Sequence, residues 1–407
     1  MRRLLLVAVC LALTAAPVTA ASAKSFGGII RDLPNARAHV PRPLAHVANL
    51  PYGGGPVLHS NRTHLIFWQP SGSGLTYDAG YQALVERFLR QVAADSHKTT
   101  NVYGLSGQYS DAQGPAAYAS SYGGATVDSD QLPRSGCVEP PVTGPGWSVC
   151  LNDKQLQTEI EHVVHARHLP TKPGDVYFLV TPKGLGSCTT TSSTSCALGG
   201  SLSGYCGYHS QSSDGDVLYA VIPYNAVAGH CQSDNPRPND STADPAISTV
   251  SHEHAEMVTD PSGDAWIDGS GNEAADLCIT SFGPAIGGSG VRAWNEAIHG
   301  GHYYLQELWS NADSSCEPRP KPDTVSFRAK RLNGRPWSVS FAARGFDPHG
   351  AFVSYLWFFG DGASGQGANV SHRYRHTGRY RVVVRATDSW RNWVFYAETL
   401  TVSGRGR

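Results

Sequence analysis

The chain has 407 residues, of which 16% are charged, and its formal net charge is -1. That balance excludes the clustered positive charge by which proteins hold nucleic acids or anionic membranes. Nine cysteines, 44 glycines and only two methionines suit a loop-rich exported protein instead.

At the start, Arg2 and Arg3 precede an apolar run from Leu4 to Ala16 and small residues ending Ala21-Ser22-Ala23, the pattern of a secretory signal peptide over residues 1–23. The run is shorter than the roughly 20 residues that cross a bilayer, and no later apolar run is longer, so no stable membrane span is expected. Residues 24–56 are rich in Pro, Ala and Arg without a sustained apolar period and read as a flexible leader or pro-segment.

The main domain is expected over residues 57–317. Its first signals are a strand at Thr63 to Gln69 and a helix at Tyr77 to Ala94 with Leu84, Phe88, Leu89 and Val92 at helical spacing. A second helix is predicted at Asp153 to His168, a buried-type strand at Asp175 to Val180 and another at Val217 to Pro223. Strands alternating with helices suggest an α/β core. The Ser/Thr/Gly/Cys segment from Gly184 to Ser213 reads as a surface loop system. A third helix begins at Asp244, taken as its N-cap with Pro245 in the first turn, and ends at Asp260-Pro261.

Once Cys10 leaves with the signal, eight cysteines remain: Cys137, Cys150, Cys188, Cys196, Cys206, Cys231, Cys278 and Cys316. An even set without a Cys-x-x-Cys pair reads as disulfides in an oxidising compartment. Pairing by neighbours is the simplest arrangement, with other connectivities left open.

The third helix carries Ser251-His252-Glu253-His254-Ala255-Glu256. Residues four apart share a helix face, so His252 and Glu256 point together. Zinc peptidases place two ligands in this way in His-Glu-x-x-His, with the glutamate after the first histidine as general base. Here Glu256 replaces the second histidine, which preserves a ligand but weakens the acidification of a metal-bound water. Glu273 is the first choice for a further ligand. Asp276, read as sharing a helical face with it, is either the ligand itself or an acceptor for the His252 imidazole. The competing reading is a surface helix whose His and Glu coincide by chance.

Residues 318–323 contain Pro318, Pro320 and Pro322 and read as a linker. Short alternating strands separated by Gly, Asp and Asn turns then run over residues 324–403. Tyr355-Leu-Trp-Phe-Phe-Gly360-Asp361-Gly362, His372-Arg-Tyr374, Gly378-Arg-Tyr380 and Val382 to Asp388 closely resemble the polycystic-kidney-disease (PKD) domain signature. The resemblance implies an all-β immunoglobulin-like sandwich with Trp357 in its core, serving as a spacer or adhesion module.

A wider resemblance spans roughly Arg62 to Cys316. Asp175 to Thr181, Gly204-Tyr-Cys206-Gly207-Tyr-His209, Ile247 to Glu256 with Asp260-Pro261 and Trp266, and Glu273-Ala-Ala-Asp276-Leu-Cys278 are similar to the secreted EXORDIUM-like (phosphate-induced protein 1) family and its bacterial relatives. It implies an α/β (α+β) zincin-like, disulfide-stapled domain with His252, Glu253, Glu256, Glu273 and Asp276 as motif residues. The expectation is a secreted extracellular or cell-wall-associated protein acting as a zinc-dependent peptidase or amidase, with Glu253 catalytic and zinc held by His252, Glu256 and Glu273. The alternative is a non-catalytic binding or adhesion protein that meets an extracellular protein or cell-wall polymer. Trp266, Trp294, Tyr303, Tyr304 and Trp309 then supply aromatic faces for sugar rings.

Overall fold

The computed structural model describes residues 49–138, 147–192, 195–198, 203–320, 324–333, 335–346, 352–387 and 393–403. The signal-peptide reading and most of the leader lie outside these residues.

The main unit is built on a five-stranded sheet. Its spatial order is Tyr208–Gln211, Leu218–Ile222, Asp175–Val180, Asn61–Trp68, Ser120–Asp128. Four of these strands are parallel, and Tyr208–Gln211 runs antiparallel along one edge. The strand Asp175–Val180 is buried along its whole length because helices and loops cover both faces, as its unbroken apolar sequence requires.

Three helices accompany the sheet: α1 (Tyr81–Ala94), α2 (Asp153–Ala166) and α3 (Asp244–Thr259). Helix α1 buries Leu84, Val85, Phe88, Leu89 and Val92 on one stripe. Asn152 and Gln155 close a capping box at the start of α2. Helix α3 differs from both, since every one of its residues is buried. Its first residue is Asp244 rather than the expected cap: Ala243 occupies the N-cap, and the Asp244 carboxylate binds Ser241 N and Asn239 Nδ2.

Two readings of loops are corrected. The segment from Gly184 to Ser213 is largely interior: Leu185–Cys188 is wholly buried in a four-stranded sheet with Val149–Asn152, Ser195–Ala197 and Ser203–Tyr205, and Tyr205, Tyr208 and His209 are buried. The disulfides substitute for apolar side chains here, which is why the composition misleads. The end of the assigned leader also packs: Leu50 is buried, and Gly53 and Gly55 donate to the carbonyls of Ala265 and Asp264. A Cβ on Gly53 would lie 2.5 Å from the Asp264 carbonyl oxygen, so this close approach requires glycine.

Four disulfides join Cys137 to Cys150, Cys188 to Cys196, Cys206 to Cys231 and Cys278 to Cys316, the neighbour pairing. Of the expected linker, Pro320 is buried and sits where a Cβ on Gly104 would touch it; residues 321–323 lie outside the description.

The C-terminal unit is an all-antiparallel β-sandwich. One sheet contains Thr324–Arg331, Ser338–Phe346 and Asn369–Arg373; the other contains Ser364–Gln366, Ser354–Phe358, Gly378–Thr387 and Trp393–Val402. Trp357 is fully buried between the sheets against Phe327 and Phe341, and its indole N–H donates to the Gly367 carbonyl. Gly360 and Gly362 adopt positive φ (85° and 90°) at the turn between Ser354–Phe358 and Ser364–Gln366, as the sequence leads one to expect. Among the described residues, no helix is long and apolar enough to cross a membrane.

Candidate functional site

Helix α3 breaks an ordinary rule of burial. A helix covered on all sides should be apolar, yet this one carries His252, Glu253, His254 and Glu256, each at most 2% exposed. Buried ionisable groups persist where they are paired or bind a metal, so each needs a partner.

His254 finds one apart from the others. Its Nε2 lies 2.8 Å from Asn61 Oδ1, its ring contacts Tyr103 and Phe178, and burial depresses its pKa to about 3. It is a neutral core side chain.

His252 and Glu256 share the face that their spacing predicts, with Nε2 and Oε2 3.1 Å apart. Each is anchored by its other polar atom. His252 Nδ1 lies 3.2 Å from Gln306 Oε1, and Gln306 Nε2 donates to the Ala275 carbonyl. The amide is thereby oriented with its oxygen toward the imidazole. Nδ1 must therefore donate, which leaves Nε2 as a lone pair in the neutral ring. Glu256 Oε1 accepts from Ala275 N and Asp276 N, both at 3.1 Å, leaving Oε2 free. Asp276 Oδ2 accepts from Glu273 N at 3.1 Å, while Oδ1 stands 3.5 Å from His252 Nε2.

A second group lies beside the first. His209, on the antiparallel edge strand, places Nδ1 3.1 Å from Glu253 Oε2 and 3.9 Å from Glu256 Oε2, and Nε2 3.7 Å from Glu273 Oε2. Its Nε2 also lies 3.3 Å from the Asp260 carbonyl oxygen, which can only accept. In the neutral ring Nδ1 is then the acceptor, and Glu253 must carry the shared proton. The titration tendencies agree: burial pushes Glu253 well above the carboxylate range and brings His209 down to about 4.

The loop after α3 sets these positions. Asp260 receives Asp264 N and Ala265 N on one oxygen and Trp266 N on the other, turning the chain back toward the helix. Glu273 and Asp276 follow, but not on a helix with a common face: only the short 3-10 turn Asp276–Cys278 forms, held by the Cys278–Cys316 disulfide.

All five residues expected from sequence are thus brought into one interior region, though differently grouped. The compact triads of ligand atoms are His252, Glu256 and Asp276, and His209, Glu256 and Glu273. The expected set of His252, Glu256 and Glu273 is divided between them. His209 is the residue sequence reasoning missed as a ligand; its signal was a histidine in the Gly207-Tyr-His209 block, without periodicity to show that it faces α3. Buried atoms left without a hydrogen-bond partner include His252 Nε2, Glu256 Oε2, Glu253 Oε1 and both oxygens of Glu273.

The aromatic platform is not supported as a group. Tyr303 and Trp309 are core residues, while Trp266, Trp294 and Tyr304 are only half-buried. Trp294 stacks on His302 and Tyr304 on Phe282.

Comparison with known proteins concerns the C-terminal unit. Residues 320–391 match the PKD domain family, and this unit is a PKD domain. Similar solved structures include the PKD1 domain of Vibrio anguillarum Epp, 27% identical over 21% of this chain and 98% of that chain, TM-score 0.20. Others are the PKD1 domain of the Vibrio cholerae metalloprotease PrtV (29% identity, 19% and 93% coverage, TM-score 0.18) and the PKD domain of human VPS10 domain-containing receptor SorCS2 (27% identity, 22% and 77% coverage, TM-score 0.18). A PKD domain together with four disulfides is consistent with an extracellular protein.

Proposed function

We propose that this is a secreted protein whose main domain is a zincin-like metal-binding domain, with His252, Glu256 and Asp276 as the principal ligands. The observation that supports it is the convergence of an imidazole nitrogen and carboxylate oxygens whose partner atoms are all anchored elsewhere. Unpaired buried polar atoms cost about 1–3 kcal/mol each, and more when charged. A divalent cation removes that cost by accepting all the lone pairs. One nitrogen and two carboxylates suit zinc, and bound zinc supplies Lewis acidity to a carbonyl or water. Without the metal, His252 takes up a proton: burial opposes this, but the Glu256 and Asp276 carboxylates hold its pKa well above the usual imidazole value.

The hydrolytic reading, a peptidase or amidase, is favoured by the Glu253–His209 pair beside the triad, a carboxyl and an imidazole 3.1 Å apart between which a proton can pass. The non-catalytic reading is favoured by closure, since His209, His252, Glu253, Glu256 and Glu273 are each at most 2% exposed. Structural zinc sites are closed, whereas catalytic ones keep an open position. A nearby indentation is bounded by Cys206, Cys231, Gln232, Ser248, Thr249 and Gln306.

Stripping the protein with a chelator and titrating zinc back while following thermal unfolding tests the metal reading. Saturable stabilisation that is absent in Glu256→Gln supports it; identical behaviour of the two proteins overturns it. The readings then separate on Glu253→Gln, which retains metal in both but loses peptide or amide hydrolysis only in the first.

A further inference from the structure

The cluster with the clearest unassigned chemistry lies at the opposite edge of the main sheet. The strand Ser120–Asp128 ends in Asp128, which is 3% exposed. Asp128 Oδ1 accepts from Asp130 N at 2.9 Å, but Oδ2 is buried without a hydrogen-bond partner. Helix α2 passes this strand end and contributes Glu159, whose Oε1 is also buried and unpartnered. One oxygen each from Asp128, Asp130 and Glu159 fall within 4.8 Å of one another. His162, one turn after Glu159, sits with Nε2 3.1 Å from Asp130 Oδ2 and is the partner the described ion pairs give this group. That imidazole is more than half exposed and on Asp130, so it leaves Asp128 Oδ2 unmatched.

We propose that Asp128, Asp130 and Glu159 form a second cation site, separate from the α3 centre and selective for calcium. The donors are all carboxylate oxygens, which favour a hard cation such as calcium over zinc. Asp128 is a fixed wall, held by the strand and by Gln69 N donating to its carbonyl. Asp130 is the open side, with a side chain 52% exposed, through which the ion enters and keeps part of its water shell. Three protein ligands with water completing the shell place the affinity in the range of extracellular calcium modules, a Kd on the order of 10⁻⁴–10⁻³ M. Calcium there ties the C-terminal end of an edge strand to α2.

A tryptophan bonded to the site supplies the readout. Trp68 Nε1 donates to the Asp130 carbonyl at 3.0 Å, so terbium bound at this cluster is excited through that indole. Terbium luminescence is measured on the full chain with tryptophan excitation, followed by displacement with calcium and, separately, with zinc. The expected result is one saturable sensitised site displaced by calcium, weakened at least tenfold in Glu159→Gln and in Asp130→Asn, and unchanged in His252→Ala. Asp130→Asn alters a largely exposed side chain and keeps the test open should Glu159→Gln misfold. Absence of sensitised binding, or binding equal in wild type and both carboxylate variants, overturns the proposal. Loss in His252→Ala with retention in Asp130→Asn also overturns it, by assigning the signal to the α3 centre.

Discussion

His252 Nε2 and Glu256 Oε2 face each other across one turn of α3 at 3.1 Å. Both residues are tied down through their other polar atoms, His252 by Gln306 and Glu256 by the Ala275 and Asp276 amides. A site held in this way presents lone pairs to one point, and its behaviour can be predicted from that geometry.

Gln306 orients the imidazole without meeting the proposed ion. Gln306→Ala is expected to lower zinc affinity about 10–100-fold, the usual range for a side chain that positions a ligand. Competition with a chromophoric chelator measures this. Gln306→Glu, which still accepts from Nδ1, should restore part of the loss.

Gly207 lets the edge strand approach α3. A Cβ there would lie 2.6 Å from Thr249 Cγ2 and 3.1 Å from Glu253 Oε1. Gly207→Ala should therefore destabilise the domain by about 1–3 kcal/mol, the range for overpacking a well-filled interior. Denaturant unfolding checks the magnitude, and unaltered stability would mean that the strand has room to shift.

Asp95 gives a pH-dependent contribution away from the metal centre. It accepts from Lys98 Nζ at 2.6 Å and His299 N at 2.8 Å, and its second contact with His299 is 3.0 Å. Burial works against the anion, but these donors prevail and hold its pKa below the usual value. A carboxyl depressed in the folded state stabilises above its unfolded pKa of about 3.9 and loses that contribution as pH falls through the folded value. Asp95→Asn should accordingly be less stable than wild type at pH 7 by about 1–2 kcal/mol. Unfolding measured from pH 7 to below pH 3 should show this difference closing.

Trp357 anchors the PKD sandwich. Its replacement by Ala removes a fully buried ring and should cost about 3–5 kcal/mol in that unit. Loss of the unfolding transition of residues 324–403, with the main unit's transition retained, is the expected calorimetric result.

Legibility in sequence followed local periodicity. The strand Asp175–Val180 and the start of α3 were readable from apolar runs and punctuation, and the i,i+4 rule placed His252 on Glu256. Ser120–Asp128 was not readable, since Ser, Gly and Thr dominate it and its central residues are not fully buried. Its identity as a strand comes from pairing with Asn61–Trp68, a contact made across the intervening chain. His209 was hidden for a related reason: its strand has four residues and acquires its place beside Glu253 only through the sheet order. Glu273 and Asp276 were found by proximity in sequence, but the irregular turn between them divided their roles in a way no helical period could show.

The most direct test of the central claim is elemental analysis of purified wild-type protein beside His252→Ala. About one equivalent of zinc bound at the α3 centre in wild type and lost in the variant is the predicted result. No metal in wild type, even after incubation with zinc and removal of excess, would contradict the assignment of His252, Glu256 and Asp276 as ligands.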